Sequence, residues 1–325
     1  MTQENKLLYL SRSDVESIGL SMSEIIEGVD AMFKEKGAGR VEMPPKPGIH
    51  PMKDAFIHAM PAFIPASGAA GMKWIAGFPE NIQTDLPYIS GLLILNDAKN
   101  GLPLAVMDAT WITAQRTGAA TAVAARYLAR EDSSTIAILA CGVQGRSNLE
   151  AVSCLFPLTK VKVFDINSEA ALLFKREMGA KFAIDVEICS SPKDAMAAAD
   201  IVVTSGPIYK KPQPVIETGW LAPGAFACPL DYDSYWKTEA MQEIDKLATD
   251  DLNQLNFYRD MGYFQTTPNP YADLGDVATG KIAGRESDDE RTMSINLGLA
   301  AEDMATASLL YKKARQKGLG IDLAL

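Results

Sequence analysis

Histidine is nearly missing from this chain: His50 and His58 are the only two, no H-E-x-x-H spacing occurs, and a zinc site is therefore not expected. Cysteine is sparse as well. Cys141, Cys154, Cys189 and Cys228 are scattered without a C-x-x-C pair, which excludes a disulfide framework and reads as reduced thiols in a cytosolic enzyme. Basic excess is missing too, with 31 Lys and Arg against 41 Asp and Glu, so the net charge of −10 gives no footprint for nucleic acid or an anionic membrane. No apolar run approaches the roughly 18 residues of a membrane-spanning helix. The opening Met1-Thr-Gln-Glu-Asn-Lys6 has neither the charged nor the apolar region of a signal peptide, and a cytoplasmic protein is expected. With imidazole and thiolate chemistry this limited, the work falls to Lys, Arg and Asp.

What is present suits a globular protein of two ordinary domains: 325 residues, 47% hydrophobic and 22% charged. Its most informative stretch is Thr135-Ile-Ala-Ile-Leu-Ala-Cys-Gly-Val-Gln-Gly-Arg-Ser-Asn148, followed by Val161-Lys-Val-Phe-Asp165. A buried strand runs into a glycine turn and an amphipathic helix, and a second strand ends at a carboxylate about twenty residues on, as in a dinucleotide-binding βαβ start. The usual first glycine is replaced by Ala140, so the pattern is A-x-G-x-x-G and draws its weight from that context. Gly142, Val143, Gln144, Gly145 and Arg146 are expected to form the pyrophosphate turn at a helix N-terminus, with Asp165 on the adenosine ribose. No arginine follows Asp165 to meet a 2′-phosphate, so NAD is preferred over NADP.

The strand series 135–140, 161–165, 184–188, 200–204, 225–230 and 246–249 fits a doubly wound α/β sheet of Rossmann type. Thr204, Ser205 and Gly206, at the end of one of these strands, are expected on the nicotinamide or ribose side. Before this sheet, Ser11-Arg-Ser-Asp14 and Ser21-Met-Ser-Glu24 read as helix caps, strands are expected at 55–60, 71–77 and 91–96, and an Ala-rich helix covers 113–130. Residues 288–317 read as one long helix stopped by Gly318. The expected layout is a nucleotide domain, 116–294, inserted into a discontinuous substrate and dimerisation domain, 1–115 plus 295–325.

Several ordered segments resemble the ornithine cyclodeaminase/mu-crystallin family across almost the whole chain: Met43-Pro-Pro-Lys46, Met60-Pro-Ala-Phe63, Gly71-Met-Lys73-Trp74, Thr113-Ala-Gln-Arg116-Thr117, Gly142-Val-Gln144, Gly284-Arg-Glu-Ser-Asp288 and Gly298-Leu-Ala-Ala-Glu-Asp-Met-Ala-Thr-Ala307. The resemblance implies NAD(P)-dependent chemistry on the α-carbon of a small amino, imino or oxo acid, in a homodimer. The leading expectation is an amino-acid dehydrogenase or imine reductase. The alternatives are an ornithine cyclodeaminase, which releases ammonia without net NADH, and a non-catalytic binding protein like mu-crystallin.

Arg116 is the expected carboxylate anchor, since a guanidinium in an Ala-rich helix needs a bidentate anion; an internal Asp or Glu is the other candidate for that anion. Lys46 stands where many members have an arginine in the same clamp, as a point charge rather than a fork. Lys73, in the apolar run Ala70-Gly-Met-Lys-Trp-Ile-Ala76, is desolvated if it points inward, which lowers its pKa toward useful proton transfer. The resemblance makes it the catalytic lysine. Asp233 matches the family's active-site aspartate, with Asp231 open as the other register. His58 occupies a position where cyclodeaminases carry a glutamate, and an imidazole attracts a distal amine less strongly.

Overall fold

The computed structural model describes residues 6–325, without the side chains of Ile82 and Gln83; residues 1–5, most of the segment read for a signal peptide, lie outside the described residues. In chain order come β1 (Lys6–Leu10), α1 (Arg12–Ser17), α2 (Met22–Gly37), β2 (Gly48–Ile49), β3 (Phe56–Ile64), β4 (Ala69–Gly77), β5 (Ile89–Asp97), β6 (Pro103–Asp108) and α3 (Thr110–Leu128). Then follow β7 (Thr135–Leu139), α4 (Val143–Ser153), β8 (Lys160–Phe164), α5 (Ser168–Phe182), β9 (Asp185–Ile188), α6 (Pro192–Met196), β10 (Ile201–Thr204) and β11 (Phe226–Pro229). The remainder is α7 (Thr238–Met241), β12 (Lys246–Thr249), α8 (Leu252–Asp260), β13 (Ala272–Asp273), α9 (Leu274–Ala278), β14 (Thr292–Ile295), α10 (Ala300–Lys317) and β15 (Ile321–Ala324). Contacts divide the chain into Met1–Arg116 with Leu299–Leu325, and Thr117–Gly298, the first boundary falling inside α3.

In the first unit both predicted caps form. Ser11 accepts from the Asp14 backbone N–H while the Asp14 carboxylate accepts from that of Ser11, and Ser21 and Glu24 repeat the exchange, satisfying donors that a helix start leaves open. The apolar face of α2, with Ile25, Ile26, Val29, Met32 and Phe33 buried, packs on α10, which also covers β3 and β4. Burying each such side chain is worth about 1.5–3 kcal/mol, as an upper estimate. The sheet runs β15-β1-β6-β5-β4-β3-β2, antiparallel except for the β1–β6 pair. Strand alternation turns Lys73 and Ile75 of β4 into the core and Trp74 out to solvent.

The second unit is an all-parallel sheet ordered β13-β12-β14-β11-β10-β7-β8-β9. From the adjacent β7 and β10 the chain winds outward in opposite directions, which makes the carboxyl ends of these strands a topological switch point. The doubly wound fold expected from the strand series is therefore present. One expectation fails: residues 288–317 are not a single helix. Thr292–Ile295 is β14, inserted between β11 and β12, and the helix begins at Ala300 after Gly298 at φ +79°. All four β14 residues are buried, and the alternation of Thr292-Met-Ser-Ile295 runs for only four residues, too short to separate a strand from a helical turn.

Candidate active site

In the first unit the inward turn of β4 places Lys73 in a dry cluster of charges. Lys73 is 0% exposed, and its Nζ donates to Asp303 Oδ1 at 2.7 Å and Thr113 Oγ1 at 3.1 Å. Arg116, also buried, donates from Nε to the same Asp303 Oδ1 at 2.9 Å and from Nη1 to Glu302 Oε2 at 2.7 Å. The internal carboxylates left open as partners for Arg116 are thus the first-turn residues of α10. Asp303 Oδ2 and Glu302 Oε1 are buried without a hydrogen-bond partner among the described residues. Burial pushes the Lys73 ammonium down to about 7, against the upward pull of Asp303 and with a further push from Arg116. Glu302 is raised, chiefly by burial and with a contribution from Asp303, while Arg116 opposes the rise.

Lys46 is buried, and its charge is felt by both Lys73 and His58. His58 stacks on Phe56, with ring centroids 4.3 Å apart, and is held down to about 3 by burial and then by the positive field of Lys46, with smaller pushes from His50 and Lys73. It is a neutral imidazole near pH 7. Lys46, His58, Lys73 and Arg116, distant in sequence, all belong to this unit. Glu302 and Asp303 are the residues that the sequence reading did not assign to the site. The only signal was a pair of acids in an otherwise small and apolar helix start.

In the second unit β7 runs into the glycine turn and α4, as read from the sequence. Ala140 has φ +80°, the left-handed region in which glycine is favoured, so the missing first glycine leaves a strained alanine. A Cβ on Gly145 would lie 2.7 Å from Ala140 O; this glycine lets the helix approach the strand. Gly142 differs: its φ is −80° and a Cβ there would meet nothing within 4 Å. Neither backbone angle nor crowding by the protein requires glycine at 142, and no side chain caps α4. An open cradle facing uncapped helix N–H groups suits a pyrophosphate.

Asp165 anchors the turn by accepting from Cys141 N at 2.7 Å and Asn167 N at 2.8 Å, each oxygen keeping a further lone pair. Arg146 fastens the same turn, donating to Cys141 O and to Gly142 O, while Glu177 accepts from its Nε at 2.9 Å. Its charge is already compensated by protein groups. At the end of β10, Thr204 Oγ1 donates to Asp231 Oδ1 at 2.7 Å, Gly206 N donates to Asp231 Oδ2 at 2.9 Å, and Ser205 Oγ donates to Ala140 O at 3.1 Å. The Thr204 and Ser205 hydroxyls thus both donate to protein acceptors. A Cβ on Gly206 would stand 2.7 Å from the Tyr235 ring, so any side chain there must displace that ring.

The two aspartates separate because Tyr232 between them takes φ +62°. Asp231 is wholly buried with both oxygens engaged, and burial raises it to about 7 against the hydrogen bonds from Thr204 and Gly206. Asp233 accepts from Thr267 Oγ1 through Oδ2 at 3.0 Å, whereas its Oδ1 is buried with no partner among the described residues. Burial raises Asp233 as well. A buried acceptor without a donor is costly, on the order of 1–3 kcal/mol, unless a ligand supplies one.

A doubly wound parallel sheet opened by a glycine turn, joined to a second α/β unit that buries a lysine among carboxylates, defines a two-unit protein of the Rossmann class. More narrowly, the model of the ornithine cyclodeaminase/mu-crystallin family matches residues 5–318, and the chain belongs to that family. It is 35% identical to an alanine dehydrogenase of Archaeoglobus fulgidus over 323 residues, 96% of this chain and 97% of the relative. Among solved structures it is similar to the Thermococcus litoralis Δ1-pyrroline-2-carboxylate reductase in complex with NADH and L-proline, at 34% identity and a TM-score of 0.88, covering 98% of this chain and 100% of that one. An archaeal alanine dehydrogenase dimer with bound NAD gives 32% identity and a TM-score of 0.88, covering 99% and 100%.

Proposed function

We propose that this protein is an NAD(H)-dependent oxidoreductase of small amino and imino acids, an amino-acid dehydrogenase or imine reductase. The observation that carries the reading is Lys73, a fully buried amine brought to about 7, two of whose three donor positions are taken by Asp303 and Thr113. The remaining position can exchange a proton with a substrate nitrogen at neutral pH. In the first unit Arg116 and Lys46 provide the positive field for an α-carboxylate; in the second, Asp233 Oδ1, buried with no partner among the described residues, is an acceptor suited to an amine or iminium. The open cradle at Gly142, the start of α4 and Asp165 would hold the dinucleotide, which when bound would supply or accept the hydride. The named activities of the relatives support this assignment.

His58 favours reduction over cyclodeamination, because a neutral imidazole offers no counter-charge to a distal ammonium. The test is a panel of pyrroline-2-carboxylate, other cyclic imines, and pyruvate with ammonia, followed by NADH absorbance. Steady NADH consumption is expected with at least one of them. Ammonia release from ornithine without net NADH, or silence across the panel, refutes the assignment. A homodimer belongs to the same reading, supported by the outward face of the first sheet, where Trp74 and its register neighbour Leu92 are 44% and 49% exposed. Trp74→Glu should shift the elution of the protein from dimer to monomer. Among the described residues no helix is long and apolar enough to cross a membrane.

A further inference from the structure

Asp303 stands in the first turn of α10, where the helix dipole favours a carboxylate. A single oxygen, Oδ1, receives both Lys73 Nζ at 2.7 Å and Arg116 Nε at 2.9 Å, and the side chains of Lys73 and Asp303 are both 0% exposed. Glu302 beside it behaves differently, its Oε2 accepting from the backbone N–H of Leu299 at 3.2 Å as well as from Arg116 Nη1. Lys73 comes from β4 and Arg116 from α3, and Asp303 accepts from both.

We propose that Asp303 is the positioning residue of this site, a one-oxygen clamp that sets the separation of the proton-exchanging lysine and the carboxylate-binding arginine and keeps Lys73 able to carry its proton. The proposal rests on the functional reading above and adds to it the group through which the two cations act together. Around Lys73 stand Asp303 and Glu302 from α10, Arg116 and Thr113 from α3, Lys46 from the segment before β2, and His58 from β3. Arg116 and Lys46 repel the Lys73 proton, and His58, neutral here, gives it no acid to lean on. Asp303 is the group that both hydrogen-bonds Nζ and attracts its charge. The second carboxylate oxygen, buried and unpartnered among the described residues, leaves Asp303 an acceptor site beyond the clamp.

Asp303→Asn keeps the shape and an acceptor oxygen but removes the charge. The titration of Lys73 is followed by NMR on lysine-labelled protein, its signal assigned by loss in Lys73→Arg. The clamp predicts that the Lys73 midpoint falls by at least one pH unit, a tenfold loss of proton affinity. The alkaline limb of kcat for imine reduction should move down equally, so that activity at pH 8 drops at least tenfold and recovers on acidification. Asp303→Glu should restore part of both shifts. An unchanged Lys73 midpoint and an unchanged pH profile in folded Asp303→Asn overturn the proposal. If that variant does not fold, Asp303→Glu decides alone: a displaced midpoint supports the clamp and an unmoved one overturns it. Because the titration needs no turnover, a wild-type protein inactive in every assay would refute the functional reading while leaving the clamp to be judged by the lysine midpoint.

Discussion

Burial of Lys73 makes the stability of the protein depend on pH in a way that one substitution should erase. The amine titrates at about 7 in the folded chain against 10.5 ordinarily, so between those values the unfolded chain holds a proton that the folded chain has released. Stability attributable to this group therefore rises with pH above 7 and levels off near the unfolded value, at about 1.4 kcal/mol per pH unit. Lysine 73 is completely buried, so solvent screening does not dilute the effect. From pH 7 to pH 9 the contribution grows by roughly 2–3 kcal/mol. In Lys73→Met that slope vanishes. Urea unfolding of wild type and Lys73→Met at pH 7, 8 and 9 measures this directly. If the wild-type minus variant difference is flat across that range, Lys73 keeps an ordinary pKa and the reasoning about its proton transfer is wrong.

Four other substitutions examine the second unit. Gly142→Ala should leave the melting temperature nearly unchanged, since its Cβ enters open space, yet weaken NADH binding at least tenfold by calorimetry; equal affinity would mean that the cradle does not face the cofactor. Ala140→Gly relieves the residue at φ +80° and should stabilise the fold by up to about 1 kcal/mol, with a lower midpoint in urea counting against strain at this turn. Asp231→Asn should cost about 1–3 kcal/mol of stability because Thr204 and Gly206 both donate to the carboxylate. Asp233→Asn should unfold like wild type and lose at least a hundredfold in kcat/KM; if Asp231→Asn shows that kinetic loss instead, the roles assigned to the two aspartates are reversed.

How much of this was legible depended on how local the cause is. The capping boxes at Ser11 and Ser21, and the strand, turn and helix around Gly142, lie within a few consecutive residues, so backbone chemistry alone specifies them. Lys73 was legible because a charge inside an apolar strand must be either desolvated or turned outward, and alternation on β4 offers only those two outcomes. β14 was misread because its four residues are covered on both faces by neighbours that lie elsewhere in the chain. The different surroundings of Asp231 and Asp233 were also closed to sequence, since they depend on Thr204, Gly206 and Thr267, which donate across 25 to 34 residues.

The sequence by itself determined the doubly wound sheet, its glycine turn, and the presence of a lysine and an arginine in apolar surroundings. Tertiary structure alone decided which cation meets which anion. Asp303 lies 230 residues from Lys73 and 187 from Arg116, and a hydrogen bond depends on separation in space, which only the packing of α10 against β4 brings below 3 Å.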